Sequence, residues 1–297
     1  MSLTHYQNCP VCGDAAIQPV MEAKDHTVSG EIFSIWQCNN CKLRFTQDVP
    51  DAGSIGPYYQ SENYISHSDT KKGLVNSAYH LVRQYTLRQK RKLVQNTCGK
   101  NTGSILDLGA GTGAFLNEMK EHGWTVTGLE PDAGARKQAH DRYGLNFADA
   151  DNLFNLNEKS FDIISMWHVL EHVHDLHAYI NQIRTLLVEG GLFILALPNY
   201  TSDDAAHYRS HWAAYDVPRH LYHFSPLSVR TLLAQHGLEI RSMHPMWFDS
   251  FYISMLSEQY KKGKQGYISA FVEGIRSNKK ALSNTESASS IIYCAFK

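Results

Sequence analysis

Residues 104–113 read Ser-Ile-Leu-Asp-Leu-Gly-Ala-Gly-Thr-Gly. The first five have the length and composition of a short buried strand. Gly109, Gly111 and Gly113 then turn the chain into a helical stretch that Gly123 ends. Glycine at alternate positions permits backbone angles other residues avoid, and it lets a ligand approach the main chain. A helix entered this way offers free N–H groups at its start. The sequence beyond keeps the same rhythm. Strands are expected at 124–129, 145–148 (weakly), 161–167, 192–197, 238–243 and 289–296. Helices are expected at 133–143, 170–188, 225–237 and 258–282, the last interrupted at 263–266. With 104–108 this makes seven strands. Alternation at this spacing predicts an α/β fold, a largely parallel sheet covered by helices on both faces.

The glycines alone leave the ligand open, because a related Gly-x-Gly-x-x-Gly loop seats the pyrophosphate of dinucleotides. Asp107, two residues before the first glycine, would repel a pyrophosphate. It would pair with the ammonium group of S-adenosylmethionine (SAM), whose carboxylate suits a helix N-terminus. Glu130 ends the next strand, where it can accept hydrogen bonds from ribose hydroxyls. It fits either ligand.

Ile105 to Gly113 resembles the first motif of class I SAM-dependent methyltransferases. Phe161-Asp-Ile-Ile-Ser-Met-Trp-His-Val-Leu-Glu-His-Val173 resembles their fourth-strand motif, and Leu187 to Pro198 the segment entering their fifth strand. The His-Val-Leu-Glu-His variant is similar to the ubiquinone-biosynthesis O-methyltransferases. The resemblance covers about residues 100–200. It implies a seven-stranded Rossmann-like sheet and a SAM site built from Asp107, Gly109, Ala110, Gly111, Gly113, Glu130, Pro131, Asp149, Ala150 and His168. Asp151 competes with Asp149 for the adenine position. The ubiquinone-pathway enzymes carry an acidic-x-x-Glu-His motif implicated in divalent metal binding. Here His168 takes the acidic place before Glu171 and His172, and that departure leaves the metal in doubt.

Cys9-Pro-Val-Cys12-Gly and Cys38-Asn-Asn-Cys41 are two Cys-x-x-Cys knuckles with 25 residues between them. Each can place two thiolates on one metal. Four cysteines close a tetrahedron, so the expected ion is a structural zinc. The Pro-x-Cys-Gly pattern resembles a zinc ribbon. Cys98 and Cys294 have no partner in sequence. The expected organisation is a zinc-ribbon module at 1–50, a connecting and lid segment with a helix at 51–100, and a methyltransferase domain at 101–297.

Some ribosomal-RNA methyltransferases carry such a ribbon to grip RNA, and some sugar C-methyltransferases carry one on the substrate side. The sugar enzymes have a long extra C-terminal domain for which this chain has no room. Between Asp14 and Gln37 the only Lys or Arg is Lys24. Phosphate contacts dominate RNA affinity, so a small-molecule acceptor is expected, methylated on O or C. An RNA or protein methyltransferase is the alternative, and a non-catalytic SAM-binding protein a second. Eight Lys or Arg and no acid lie between Lys71 and Lys100, read here as a solvated helix face. No apolar run has the ~20 residues of a membrane span. The polar start lacks a secretory layout, so the cytoplasm is the expected location.

Three stretches are expected to cover the acceptor: Tyr58–Tyr64, His168–His177, and an insert at 199–223 rich in His, Tyr and Asp. The last two follow strand ends that border the ligand crevice in such sheets. A base is needed only where the nucleophile must lose a proton. His168, His220 and His223 are the candidates for it, with Tyr215 beside them.

Overall fold

The computed structural model describes residues 2–60 and 74–297. Ser61–Tyr64 of the first aromatic stretch and Lys71–Gly73 of the basic stretch lie outside the described residues. In chain order the elements are β1 (Leu3–Thr4), β2 (Ile17–Lys24), β3 (Ile32–Cys38), β4 (Arg44–Thr46), β5 (Val49–Pro50), α1 (Leu74–Cys98), β6 (Ser104–Leu108), α2 (Ala114–Glu121), β7 (Thr125–Leu129), α3 (Ala133–Tyr143), β8 (Phe161–Trp167) and α4 (Leu176–Leu186). There follow β9 (Leu187–Pro198), α5 (Asp203–Tyr208), β10 (Tyr222–His223), α6 (Pro226–Gln235), β11 (Glu239–Pro245), α7 (Asp249–Lys262), α8 (Tyr267–Ser283) and β12 (Ser290–Phe296).

The larger sheet has the order β11-β12-β9-β8-β6-β7, with β6 parallel to both neighbours. It contains six strands, not the expected seven. Leu145–Ala148 makes only one isolated bridge, between Ala148 and Leu129. The chain leaves α3 through Gly144 in the left-handed region, and Asp149 already caps the next turn. Too little extended backbone remains between them to form a strand. Gly128 on β7 is needed here for space, because a Cβ would lie 2.4 Å from Cδ1 of Phe147.

The chain forms two compact units. One takes in the described part of Ile65–Trp167 with Asn181–Leu195 and Cys294–Lys297. Its core is apolar strand residues with no solvent exposure, among them Ile105, Leu106, Ile163, Ile164, Phe193 and Ile194. Each contributes on the order of 1.5–3 kcal/mol by leaving water. Helix α3 starts where Asp132 accepts a hydrogen bond from the Ala135 N–H at 2.7 Å, and α2 starts at Gly113, whose φ is +80°.

The other unit takes in the described part of Met1–Tyr64 with His168–Ile180 and Ala196–Tyr293. Its four-stranded sheet runs β10-β4-β3-β2. The hairpin β2–β3 turns on Asp25, whose carboxylate accepts the N–H groups of Thr27, Val28 and Ser29. In β10, Tyr222 pairs with Phe45 and His223 with Arg44 of β4, so residues 222–223 complete the sheet of the cysteine-bearing segment. Around it Ile35, Tyr200, Tyr208, Trp212, Tyr215 and Val217 form one buried cluster. The expected helix at 170–188 is instead a 3-10 turn, Leu170–His172, followed by α4. Asp175 caps the true start by accepting the Ala178 N–H at 3.1 Å. No described helix is long and apolar enough to cross a membrane.

Candidate functional site

The glycine loop is built as the spacing predicts. Gly109, Gly111 and Gly113 have φ of +68°, +53° and +80°, values that a side chain would disfavour. The N–H groups of Gly109 and Ala110 are held by the Leu129 carbonyl at 2.8 and 3.0 Å, which ties the loop to the end of β7. Glu130 closes the turn from the other side. Its two oxygens accept the N–H groups of Gly111 at 2.8 Å and Asp132 at 2.9 Å. The loop thus fixes the orientation of both Glu130 oxygens. Pro131 and Asp149 are joined through Arg136, whose Nη1 reaches the Pro131 carbonyl at 2.8 Å and Asp149 at 2.9 Å. Asp149 also caps the turn that begins at Ala150, while Asp151 is exposed.

Asp107 is only 2% exposed and accepts a 2.6 Å hydrogen bond from the Ser165 hydroxyl. Burial pushes its carboxyl up to about 7, against the lowering effect of Ser165 and Lys90, with Glu130 adding to the rise. Three residues in this unit were not expected at the site. Ser165 on β8 orients Asp107. Arg83 of α1 donates to the Thr112 hydroxyl at 3.3 Å, and Lys90 of α1 sits 3.9 Å from the centre of the Trp167 ring. These cations, with Arg91 bonded to Glu118 at 2.8 Å, are turned inward. The basic stretch is therefore not simply a solvated face, and its lack of acids was the available signal.

The four cysteines meet in the other unit. Cys9 and Cys41 sulfurs lie 3.5 Å apart, as do those of Cys12 and Cys38, and all four fall within 4.8 Å of one another. Tetrahedral zinc at about 2.3 Å from each sulfur needs separations of about 3.8 Å. The Asn40 N–H also points to Cys38 Sγ at 3.4 Å, in the way knuckle amides support a thiolate. The donor set fits zinc.

Elsewhere in that unit Glu171, His172 and His220 bring their ligand atoms within 4.8 Å of one another. Glu171 is fully buried, and neither carboxylate oxygen has a hydrogen-bond partner among the described residues. Its nearest cation is His168, whose Nδ1 lies at 3.4 Å and whose Nε2 is 2.9 Å from Asp249. Burial opposes the imidazolium, but Asp249 and Glu171 outweigh it and raise His168 to about 10. The His168 backbone has φ of +58°, an uncommon value for a residue other than glycine. His172 behaves in the opposite way. Burial and the neighbouring His220 lower it to about 4. Its Nδ1 faces the Arg219 carbonyl at 3.0 Å, and His220 Nδ1 faces the Ala214 carbonyl at 2.8 Å. His172 Nδ1 also meets the Tyr59 hydroxyl at 3.1 Å, whereas His220 Nδ1 must donate to its carbonyl, which leaves Nε2 of the neutral His220 ring as the acceptor.

His223 and Tyr215 form a separate pair, with rings 5.0 Å apart. His223 Nε2 meets the Thr46 hydroxyl at 3.2 Å, and burial drives its pKa well down. The Tyr215 hydroxyl accepts from Arg44 Nη1 at 2.7 Å, and burial raises its pKa. Beside it a cleft of about 620 Å³ is lined by Glu22, Arg44, Tyr200, Arg209 and Ser210 among others. Arg44 lies 4.2 Å over the Tyr200 ring. Arg209 has φ of +51°, and no hydrogen bond or ion pair to a described residue holds its guanidinium.

A family model described as a methyltransferase domain matches residues 79–243, more than half of the chain. The chain belongs to the SAM-dependent methyltransferase family. A ubiquinone biosynthesis O-methyltransferase from Maricaulis maris is 30% identical over 151 residues, 46% of this chain and 59% of that protein. The C-methyltransferase NovU of Streptomyces niveus is 26% identical over 180 residues, 53% of this chain and 39% of that one. The chain thus spans roughly half of the curated relatives it matches. Among solved structures, geranyl diphosphate C-methyltransferase from Streptomyces coelicolor A3(2) aligns with a TM-score of 0.50 at 15% identity, covering 70% of this chain and 75% of its own, a likeness of fold.

Proposed function

We propose that this methyltransferase moves the SAM methyl group to a small-molecule acceptor, on oxygen or carbon. The observation that carries the reading is the loop–Glu130 arrangement inside the matched residues. Three left-handed glycines and a buried carboxylate bonded to the Gly111 amide form a cradle for a ribose-bearing cation. In this proposal Asp107 meets the SAM ammonium, Glu130 the ribose, and Asp149–Ala150 the adenine. SAM itself supplies an electrophilic methyl carbon, so the protein has only to hold the acceptor in line and, where needed, remove its proton.

For the proton, His220 is the candidate base. Its Nδ1 is committed to the Ala214 carbonyl, and Nε2 accepts. His168 is held cationic between Asp249 and Glu171, so it has no lone pair to serve as base. It also supplies beside Glu171 the positive charge that a divalent ion would bring, which favours acid–base work over a metal at this carboxylate. Zinc in the four-cysteine site would be structural, its four positions filled by protein. For the acceptor, Arg44 and Arg209 in the cleft beside Tyr215 favour a molecule bearing an acidic group. Against the RNA reading, α1 engages Arg83, Lys90 and Arg91 within its own unit.

The test supplies methyl-labelled SAM with three cell fractions: metabolites, protein and RNA. Label in the metabolite fraction alone is the expected result. Label in RNA or protein would replace this acceptor class, and label in none would leave a SAM-binding protein without transfer.

A further inference from the structure

The α7–α8 hairpin is amphipathic in reverse. Apart from Ile253, which joins the buried cluster, its buried positions are small or polar: Ser250, Ser254, Ser257 and Glu258 on α7, and Ala270, Glu273, Gly274, Ser277 and Ala281 on α8. On α7, Ile253, Leu256 and Tyr260 face the core, but the large apolar side chains of α8 face out. Ile268 is 83% exposed, Phe271 and Val272 are each 59% exposed, and Ile275 is 48% exposed. They recur at helical spacing on α8, with Tyr267 and Leu282 also exposed. The inward face is committed to a specific polar network. Ser257 Oγ accepts the Ala213 N–H at 2.9 Å, and Ser277 Oγ donates to Asp204 at 2.9 Å. Gly274 lets the Phe251 ring approach, since a Cβ there would sit 2.5 Å from it. The hairpin therefore cannot roll over to bury its apolar side. A continuous exposed face of this kind marks an interaction surface.

The charges say what kind. Every acid of the hairpin is engaged. Asp249 pairs with His168, while Glu258 and Glu273, at 4% and 8% side-chain exposure, pair with Lys262 and Arg276. Lys261, Lys264 and Lys279 are exposed, and none has an acidic partner among the described residues. The outer surface is apolar and positive. A second copy fits it poorly. An isologous pairing centred between Phe271 and Val272 sets Ile268 against Ile275, but also Lys264 against Lys279, like against like. We infer that the α7–α8 hairpin rests on an anionic lipid surface, with Ile268, Phe271, Val272 and Ile275 in the acyl boundary and the lysines among the head groups. The long stems of Lys264 and Lys279 reach from the apolar edge to the phosphates.

Vesicle flotation of the full chain tests this with two compositions, phosphatidylcholine alone and phosphatidylcholine with a quarter phosphatidylglycerol. Partition into the anionic vesicles is expected. The double variant Phe271→Ser, Ile275→Ser should lose at least about tenfold, since two large side chains no longer leave water. Lys264→Glu with Lys279→Glu should lose several-fold, and raised salt should mimic it. Lys264 and Lys279 are exposed and pair with no acid among the described residues, so the lysine variant should unfold like the parent. Phe271→Ser also gives up a ring stacked on Phe251 at 5.4 Å, and the lysine variant is the control for that loss. The inference is overturned if the chain ignores anionic vesicles, or if both variants bind them like the parent. It is also overturned if light scattering shows a lipid-independent dimer that Phe271→Ser dissolves, which would assign the face to a second copy.

Discussion

Replacing Asp107 by Asn isolates the charge that the proposed pairing with the SAM ammonium requires. The Asp107 carboxyl is raised from its ordinary 3.8 to about 7, burial being the main cause. Holding it ionised in the ligand-free protein costs about 4 kcal/mol at the 1.36 kcal/mol that each pKa unit represents. A carboxyl raised by folding adds stability fully below 3.8 and loses it as pH rises through about 7. In the proposed pairing, cationic SAM reverses this by binding the ionised form. Affinity should therefore fall on the acid side of 7, because a proton must leave first. From pH 7.0 to 5.5 the ionised fraction drops about fifteenfold, and Kd should weaken by about that factor. The ammonium of SAM stays protonated throughout this window. Isothermal titration calorimetry in two buffers of different ionisation enthalpy reads both the Kd and the released proton. Asp107→Asn should bind more weakly at pH 7 and show neither slope nor proton release. A flat wild-type Kd across the window, or an unchanged slope in the Asn variant, would refute the pairing.

Three further outcomes follow from other parts of the structure. Cys38→Ser should cut zinc measured by plasma mass spectrometry from about one ion per chain toward none, and lower the unfolding temperature, because a closed thiolate site contributes folding energy directly. Arg219→Met should destabilise by about 3–5 kcal/mol in chemical denaturation, since Arg219 and Asp25 are both fully buried and paired at 2.9 Å, and the variant strands a buried charge. Asp25 is held down to about 2, where burial is outweighed by Arg219 and the Ser29 and Thr27 amides. Its share of stability should thus persist above pH 4 and vanish as pH falls toward 2. His220→Gln should leave SAM affinity unchanged and lower kcat about 10²–10⁴-fold if the acceptor must lose a proton, with rescue as pH rises.

What the sequence reveals is local. Strands β6 and β8 and helix α3 have the expected bounds: β6 runs into Gly109, α3 starts on Asp132 and stops at Gly144, and β8 is one unbroken apolar-rich run. Strand β2 was not legible, since Pro19 interrupts it and the pairing with β3 slips between Pro19 and Met21. The four cysteines could be grouped from their spacing alone. The histidines could not be sorted the same way. Whether His168 is a base or a fixed cation depends on Asp249, 81 residues away. The burial of Arg219 depends on Asp25, at a distance of 194 residues. Glu171 looked like a helix start and is instead a buried anion, because its environment comes from elements that periodicity does not link.

A crystal structure of the full chain with S-adenosylhomocysteine would test the central claim most directly. The account predicts the ribose hydroxyls on the Glu130 carboxylate, the amino-acid end over Gly109–Gly113 with its ammonium on Asp107, and the adenine beside Asp149. Density for the ligand elsewhere, or a glycine loop left empty at saturating ligand, would contradict it.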